Sequence, residues 1–272
     1  MDLQFPAVAS ERDIVLTMGV FDGVHLGHRQ LVRQVIRRAR ERGCLGGAIT
    51  FHPHPRAVLA GDGPPCLVTL DERLALLAGL GLDVVAALPF TRELARLSAP
   101  DFMGLLCRHL RLRELWVGSD FALGHRREGT TTRLAEIGCE LGYQVHVVPP
   151  LVHEGQTVSS TLIRSLVQQG HVEAAARLLQ RRHCVGGIAG PEERQDRGPG
   201  LSTASVAVSD GVALPAGGVY ATYATWRARQ WPTTAHVKPG SAGTGRLLEI
   251  HVPRRAEDLV GQPLRVEFVR HL

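Results

Sequence analysis

Ile14-Val15-Leu16-Thr17-Met18-Gly19-Val20-Phe21-Asp22-Gly23-Val24-His25-Leu26-Gly27-His28 opens with a compact apolar run, breaks at glycine and leads into a helical pattern. Leu31, Val32, Val35, Ile36 and Ala39 then repeat at helical spacing and stop before Gly43, so the order is strand, glycine-rich loop, helix. The alternation continues outward. Ala48–Phe51, Val84–Leu88, Leu115–Val117 and Val145–Val148 read as further strands, and the stretches around Leu74–Leu80, Phe102–Leu110 and Leu134–Leu141 as helices. This pattern, from Ile14 to about Arg181, predicts an α/β fold: a Rossmann-like parallel sheet with helices on both faces. Ligands of such sheets bind at the carboxyl ends of the strands, where loops lead into helices.

After about Cys184 the pattern changes. Glycine and proline become frequent, and Ser202–Val208, Gly218–Thr225, Leu247–Val252 and Leu264–Val269 are too short for helices. They predict a small β-barrel domain. The breaker-rich stretch Gly190–Gly200 reads as a loop. Two domains are therefore expected, residues 1–182 and 183–272.

A chain of 272 residues with 44% hydrophobic content and a mean hydropathy of +0.01 has ample core for both. It contains no run of about 18 apolar residues, which excludes a membrane-spanning helix. The start, Met1-Asp2-Leu3-Gln4-Phe5-Pro6, lacks the basic and apolar segments of a secretory signal. Five scattered cysteines form no Cys-x-x-Cys, which favours reduced thiols and a cytoplasmic setting over disulfides or zinc. The net charge of +5 raises the question of nucleic acid. Lys238 is the only lysine, however, and the one dense group of arginines (Arg33, Arg37, Arg38, Arg40 and Arg42) falls on one predicted helix, where it reads as a solvated face. Anionic nucleotide substrates suit a mildly basic protein better than a nucleic-acid partner does.

Two motifs carry chemistry. In the first, His25 and His28 flank Gly27 at a predicted helix start, where unpaired backbone N–H groups and the helix dipole favour an anion. Gly27, with no side chain, would let a nucleotide approach the backbone. His52 and His54 follow in Phe51-His52-Pro53-His54-Pro55, a segment that its alternating prolines hold extended. No acidic or cysteine ligand lies close in sequence, so no metal site is assigned there. The second motif is Ser159-Ser160-Thr161-Leu162-Ile163-Arg164, again opening a helix. One hydroxyl can cap that helix while its neighbours and Arg164 meet a polyphosphate.

His25-Leu26-Gly27-His28 with Ser159–Arg164 resembles the HxGH and SSTxxR pair of the nucleotidyltransferase superfamily. The longer strings Thr17–Leu31, Thr50–Pro55, Leu97–Phe102 and Val117-Gly118-Ser119-Asp120-Phe121 are similar to those of prokaryotic bifunctional riboflavin kinase/FAD synthetases. The resemblance covers essentially the whole chain and is densest over about its first 180 residues. It implies transfer of AMP from ATP to FMN, giving FAD and pyrophosphate, with Mg2+ accompanying ATP. On that match His25, His28 and Arg164 are the catalytic candidates. Gly19, Phe21, Asp22, Gly27, Ser159, Ser160 and Thr161 would line the nucleotide. Phe51, Pro53, His54, Asp120 and Phe121 would face the flavin.

The kinase half departs from its family. The signature resembling G-R-x-L-G-F-P-T-A-N aligns with Asp196–Ser205, where Thr203 is retained but Ser205 stands in place of asparagine. A serine presents no carbonyl oxygen to magnesium. Glu249 matches the expected base, the P-T-F segment is not found in Val237–Gly245, and the chain ends at Leu272 where the family continues into a helix. An FMN adenylyltransferase with an inactive kinase half is the expectation. The competing readings are the same machinery acting on another acceptor, such as a modified flavin, and a non-catalytic flavin- or nucleotide-binding regulator.

Overall fold

A computed structural model describes residues 12–190, 202–208, 211–227, 229–239, 246–252 and 259–272. The chain divides into two compact units, one of Met1–Pro64 with Leu70–Val158 and the other of Pro65–Thr69 with Ser159–Leu272.

In the first unit the apolar run becomes β1 (Asp13–Gly19), followed by α1 (Leu26–Arg42), β2 (Leu45–His52), α2 (Pro55–Ala60), α3 (Leu70–Ala78) and β3 (Val84–Pro89). The chain continues through α4 (Ala99–His109), β4 (Arg111–Gly118), the short hairpin β5 (Ala122–Leu123) and β6 (Gly129–Thr130), α5 (Thr131–Leu141) and β7 (Gln144–Val148). A second short hairpin, β8 (Val152–His153) with β9 (Gln156–Thr157), completes it. The parallel sheet runs β3-β2-β1-β4-β7. β1 is central and buried on both faces, which is why it reads as a continuous apolar run. Ile14, Leu16 and Met18 pack with Phe102, Met103 and Leu106 of α4 and Leu134 and Ile137 of α5. Val15, pointing the other way, meets Val35 and Ala39 of α1. The order reverses between β1 and β4, so the loops after β1 and β4 flank the switch point where such sheets bind ligands.

Two expectations for this unit need correction. The arginines of α1 do not form a uniformly solvated face. Arg33, Arg37, Arg40 and Arg42 are exposed, but Arg42 and the half-buried Arg38 both reach Glu114, a carboxylate with no exposed side-chain surface. Arg38 Nε lies 3.0 and 3.1 Å from its two oxygens, Arg42 Nη1 3.0 Å from Oε1, and Trp116 Nε1 donates at 3.0 Å. Nor do the prolines keep the whole of His52–Pro55 extended. Pro55 opens α2, because the first helical position needs no N–H and proline already has a helical φ.

The second unit holds α6 (Ser160–Gln168), α7 (Val172–Leu179) and the strands β10 (His183–Ala189), β11 (Ser202–Val208), β12 (Gly218–Trp226), β13 (Arg229–Pro239), β14 (Arg246–Val252) and β15 (Pro263–His271). The strands close a barrel in the order β10-β11-β14-β13-β12-β15, every pair antiparallel. Its core includes Val185, Val206, Tyr220, Val237, Ile250 and Phe268, together with Val172 of α7. Pro65–Thr69 joins this unit through backbone bonds from Cys66 N to the Gly211 carbonyl and from Ala213 N to the Cys66 carbonyl. The four runs read from sequence are β11, β12, β14 and β15. β13 escaped notice because Pro232, opposite Tyr223, interrupts a strand pattern. Pro191–Gly200 of the expected loop lies outside the described residues.

Burial alone would raise the Glu114 carboxyl, but hydrogen bonds from Arg38 and Trp116, with the charges of His146 and Arg38, hold it below its usual 4.5. The stabilisation is therefore present above pH 4.5 and is lost as pH falls through the lowered folded value. Glu114→Gln should cost about 2 kcal/mol in urea unfolding at pH 7. The difference from wild type should shrink on acidification below pH 4.5.

Candidate functional site

Three loops of the first unit leave the carboxyl edge of the sheet with candidate residues on them: the β1–α1 loop, the β2–α2 turn and the loop after β4. The β1–α1 loop is the most constrained. Phe21 and Val24 have φ of 50° and 41°, with Gly23 between them at 79°. A β-branched residue in this region is rare and costs of order 1–3 kcal/mol, the kind of strain that collects at functional loops. Both residues are buried in an apolar cluster with Val32 and Leu77, which holds them there. Asp22 is also buried, with 3% of its surface exposed.

His25 ends this loop as the N-cap of α1, its Nδ1 accepting from the His28 N–H at 3.4 Å. The two imidazoles stack with centroids 3.6 Å apart and planes 18° from parallel, and Phe21 meets His28 edge-on at 5.2 Å. A Cβ on Gly27 would come 3.3 Å from His25 Cε1, so the missing side chain makes room for the ring itself. Burial pushes His28 well below the usual histidine value, and His25 and the cation of Arg73 push it the same way. His28 is thus a neutral ring at pH 7, and its Nδ1 is buried without a hydrogen-bond partner. Gly19, at the end of β1, would place a Cβ in ordinary contact with the Phe21 ring.

β2 delivers Phe51, His52, Pro53 and His54, the His52–Pro53 bond being cis. Phe51 belongs to the core, with edge-on contact to Phe90 at 6.0 Å, so it forms the floor of this edge. Pro53 is exposed, and His54 caps α2 by accepting from Arg56 N at 3.1 Å. Burial and then Arg73 lower the His52 value. After β4, Asp120 is exposed while Phe121 is half-buried against the core.

The remaining candidates lie in the second unit. Ser159 caps α6, its Oγ accepting from Leu162 N at 3.2 Å, and Ser160 and Thr161 are the first two helical positions. Arg164 is only 9% exposed, and its Nε donates to the Pro65 carbonyl at 2.7 Å. On the barrel, Thr203 pairs in register with His251 and Ser205 with Glu249. All four are half-buried, whereas Leu248, Ile250 and Val252 alternate inward. Glu249 is engaged by Lys238 of β13, Nζ to Oε2 2.5 Å. Asp196 to Leu201 of the kinase-like signature and 240–245 of the altered P-T-F stretch lie outside the described residues.

Residues 7–162 match the family model described as FAD synthetase, and residues 180–272 match riboflavin kinase. The Escherichia coli K12 protein named bifunctional riboflavin kinase/FMN adenylyltransferase is 34% identical over 95% of this chain and 84% of its own length. The chain belongs to this family. A Pseudomonas fluorescens member of the same name is 32% identical over 96% of the chain and 85% of its own length. A crystal structure described as a macrolide-efflux protein from Streptococcus pneumoniae superposes with a TM-score of 0.85 at 25% identity, covering 97% of this chain and 87% of that one. No helix among the described residues is long and apolar enough to cross a membrane.

Sequence reasoning does not single out Arg73, which is 1% exposed, sits on α3 one turn before the buried Leu77, and donates to the Thr50 hydroxyl and the Phe51 carbonyl. The signal was present: an arginine one helical turn from an apolar residue on the same stripe.

Gly27→Ala separates helix stability from the site. Alanine is favoured over glycine in a helix by up to about 1 kcal/mol, but displacing the His25 ring loosens the cap it makes with the His28 N–H, so the two effects oppose and Tm should change little. The displaced His25 ring should weaken ATP binding, measured by calorimetry, by about tenfold, a loss of about 1.4 kcal/mol.

Proposed function

We propose that the protein makes FAD by transferring AMP from MgATP to FMN, and that its barrel does not phosphorylate riboflavin. The observation that carries the first part is the His25–His28 stack at the start of α1, with a buried, uncharged His28. An oxygen of the FMN phosphate attacks the α-phosphorus of ATP. A new P–O bond forms, the bond from that phosphorus to the bridging oxygen breaks, and pyrophosphate leaves with the electron pair. No covalent enzyme intermediate is needed, so the protein's work is positioning and charge stabilisation. A neutral imidazole offers one N–H to a phosphate oxygen and one acceptor nitrogen, and the α1 terminus adds backbone N–H groups.

On this reading Ser160, Thr161 and the α6 terminus receive the β- and γ-phosphates, while Ser159 caps the helix. The Pro65 carbonyl orients the Arg164 guanidinium for the same phosphates. Asp22 and Gly19 belong to the nucleotide loop with Phe21. Pro53, His54, Asp120 and Phe121 receive the flavin above the Phe51 floor. Magnesium enters with the nucleotide as part of the substrate. The five cysteines, which form no disulfide among the described residues, suit a cytoplasmic setting.

The second part rests on the barrel face. Ser205 lacks the carbonyl oxygen that a carboxamide would give magnesium, and Lys238 occupies the carboxylate of Glu249. A carboxylate oxygen held by a bound ammonium has its lone pair engaged and is not open to a substrate hydroxyl.

One assay separates the readings. The protein with MgATP and FMN should yield FAD and pyrophosphate on chromatography, and with MgATP and riboflavin should yield no FMN. FMN from riboflavin at a rate comparable to FAD formation would make the protein bifunctional, as its relatives are named. No FAD from FMN would favour another acceptor or a binding role. His28→Ala should lower FAD formation at least about 100-fold, the equivalent of about 3 kcal/mol, with the fold intact by circular dichroism. Near-wild-type turnover in that variant would remove His28 from the chemistry.

A further inference from the structure

Arg73 is buried to 1% exposure in the first unit, yet among the described residues its hydrogen bonds go to a hydroxyl and a carbonyl and to no carboxylate. Its Nη1 donates to the Thr50 hydroxyl at 3.3 Å and to the Phe51 carbonyl at 3.2 Å, and its Nε is buried without a partner. A buried guanidinium normally costs several kcal/mol unless a carboxylate compensates it. An apolar residue on this stripe of α3 would pack against the sheet without that cost, so packing alone does not account for an arginine.

The bonds show what it holds. Thr50 Oγ1, while accepting from Arg73, donates to the Val20 carbonyl at 2.8 Å. One guanidinium is thus linked through one hydroxyl to the strained β1–α1 loop that carries His25 and His28. Directly, it ties down the last turn of β2 before Pro53 and His54. Two of the loops assigned above to nucleotide and flavin share this anchor.

We propose that Arg73 is a positioning residue of the adenylyl-transfer site, a buried cation that fixes the β1–α1 and β2–α2 loops relative to each other through Thr50 and the Phe51 carbonyl. The inference rests on the functional reading above. It also carries an electrostatic consequence. The charged and titratable groups that act on His28 are His25 from the preceding turn and Arg73 from α3. His52, at the end of β2, feels the same guanidinium. The cation acts with burial to keep both imidazoles uncharged.

Three variants test this. Arg73→Met removes both charge and bonds, Arg73→Lys keeps the charge but loses the two-pronged geometry, and Thr50→Val cuts only the link to Val20. Removing a nearby positive charge raises a histidine's value. In Arg73→Met the His28 and His52 ring signals, followed by NMR without substrates, should therefore titrate at higher pH than in the wild type. The acid limb of the FAD-formation profile should move the same way. Arg73→Lys should leave the acid limb in place and lower kcat about tenfold or more, and Thr50→Val should lower kcat similarly without moving the titrations. The proposal is overturned if folded Arg73→Met titrates like wild type, or if Arg73→Lys and Thr50→Val keep wild-type kcat and KM. Should Arg73→Met fail to fold, the other two variants decide the anchoring role alone. The titrations need no turnover, so an absence of FAD formation in the wild type would sink the functional reading without touching them.

Discussion

A parallel sheet cannot join neighbouring strands by tight turns; each connection has to travel back across a face before the next strand begins. In this protein that constraint puts every strand-to-helix loop of the first unit on one edge of the order β3-β2-β1-β4-β7. The chain then has to hold those loops at that edge without pairing them into the main sheet. Buried polar bonds do part of this work: Thr50 to the Val20 carbonyl, Arg73 to Thr50 and Phe51, and the His25 cap on α1. Apolar burial of Phe21 and Val24 does the rest, and is strong enough to keep two non-glycine residues in the left-handed region.

The sheet was legible because its signal is local. β1 and β2 bury continuous runs, while α1, β3 and α5 bury periodic sets of side chains, so their residues alone reveal each element. The barrel was legible as four runs out of six, and β13 was not, since Pro232 breaks the pattern while the barrel's closure supplies the pairing that locates the strand. The change of period near Arg182 and the division at Val158 mark different things. The first records where helices give way to strands. The second records what the helices pack against: the apolar stripe of α7 gives no sign that Val172 belongs to the barrel core.

The candidate site divides in the same way. Its two motifs could be found because helix starts have sequence signatures, and the structure assigns definite tasks there, with His25 and Ser159 each capping the helix they open. What sequence could not separate is capping from ligand binding within one motif. The same limit hid the inward turn of Arg38 and Arg42, because an arginine on a helix reads as solvated until its partner, Glu114, is located on a strand more than 70 residues away.

Electrostatics ties these parts into a chemical argument. A site for two anionic substrates gains attraction from positive charge, yet a protonated imidazole beneath them would be a different catalyst from a neutral one. Burial decides this for His28, and the neighbouring His25 and Arg73 reinforce it. The cation therefore does two things at once. It adds to the positive field at the edge of the sheet, and it acts with burial and His25 against a second, titratable charge on the imidazole. Because a guanidinium stays protonated throughout the working range of an enzyme, a field set by Arg73 does not vary with pH. A site that depends on a charge of fixed value and a ring of fixed neutrality has its donors and acceptors arranged before either substrate arrives, which is the condition under which positioning alone accelerates phosphoryl-group chemistry.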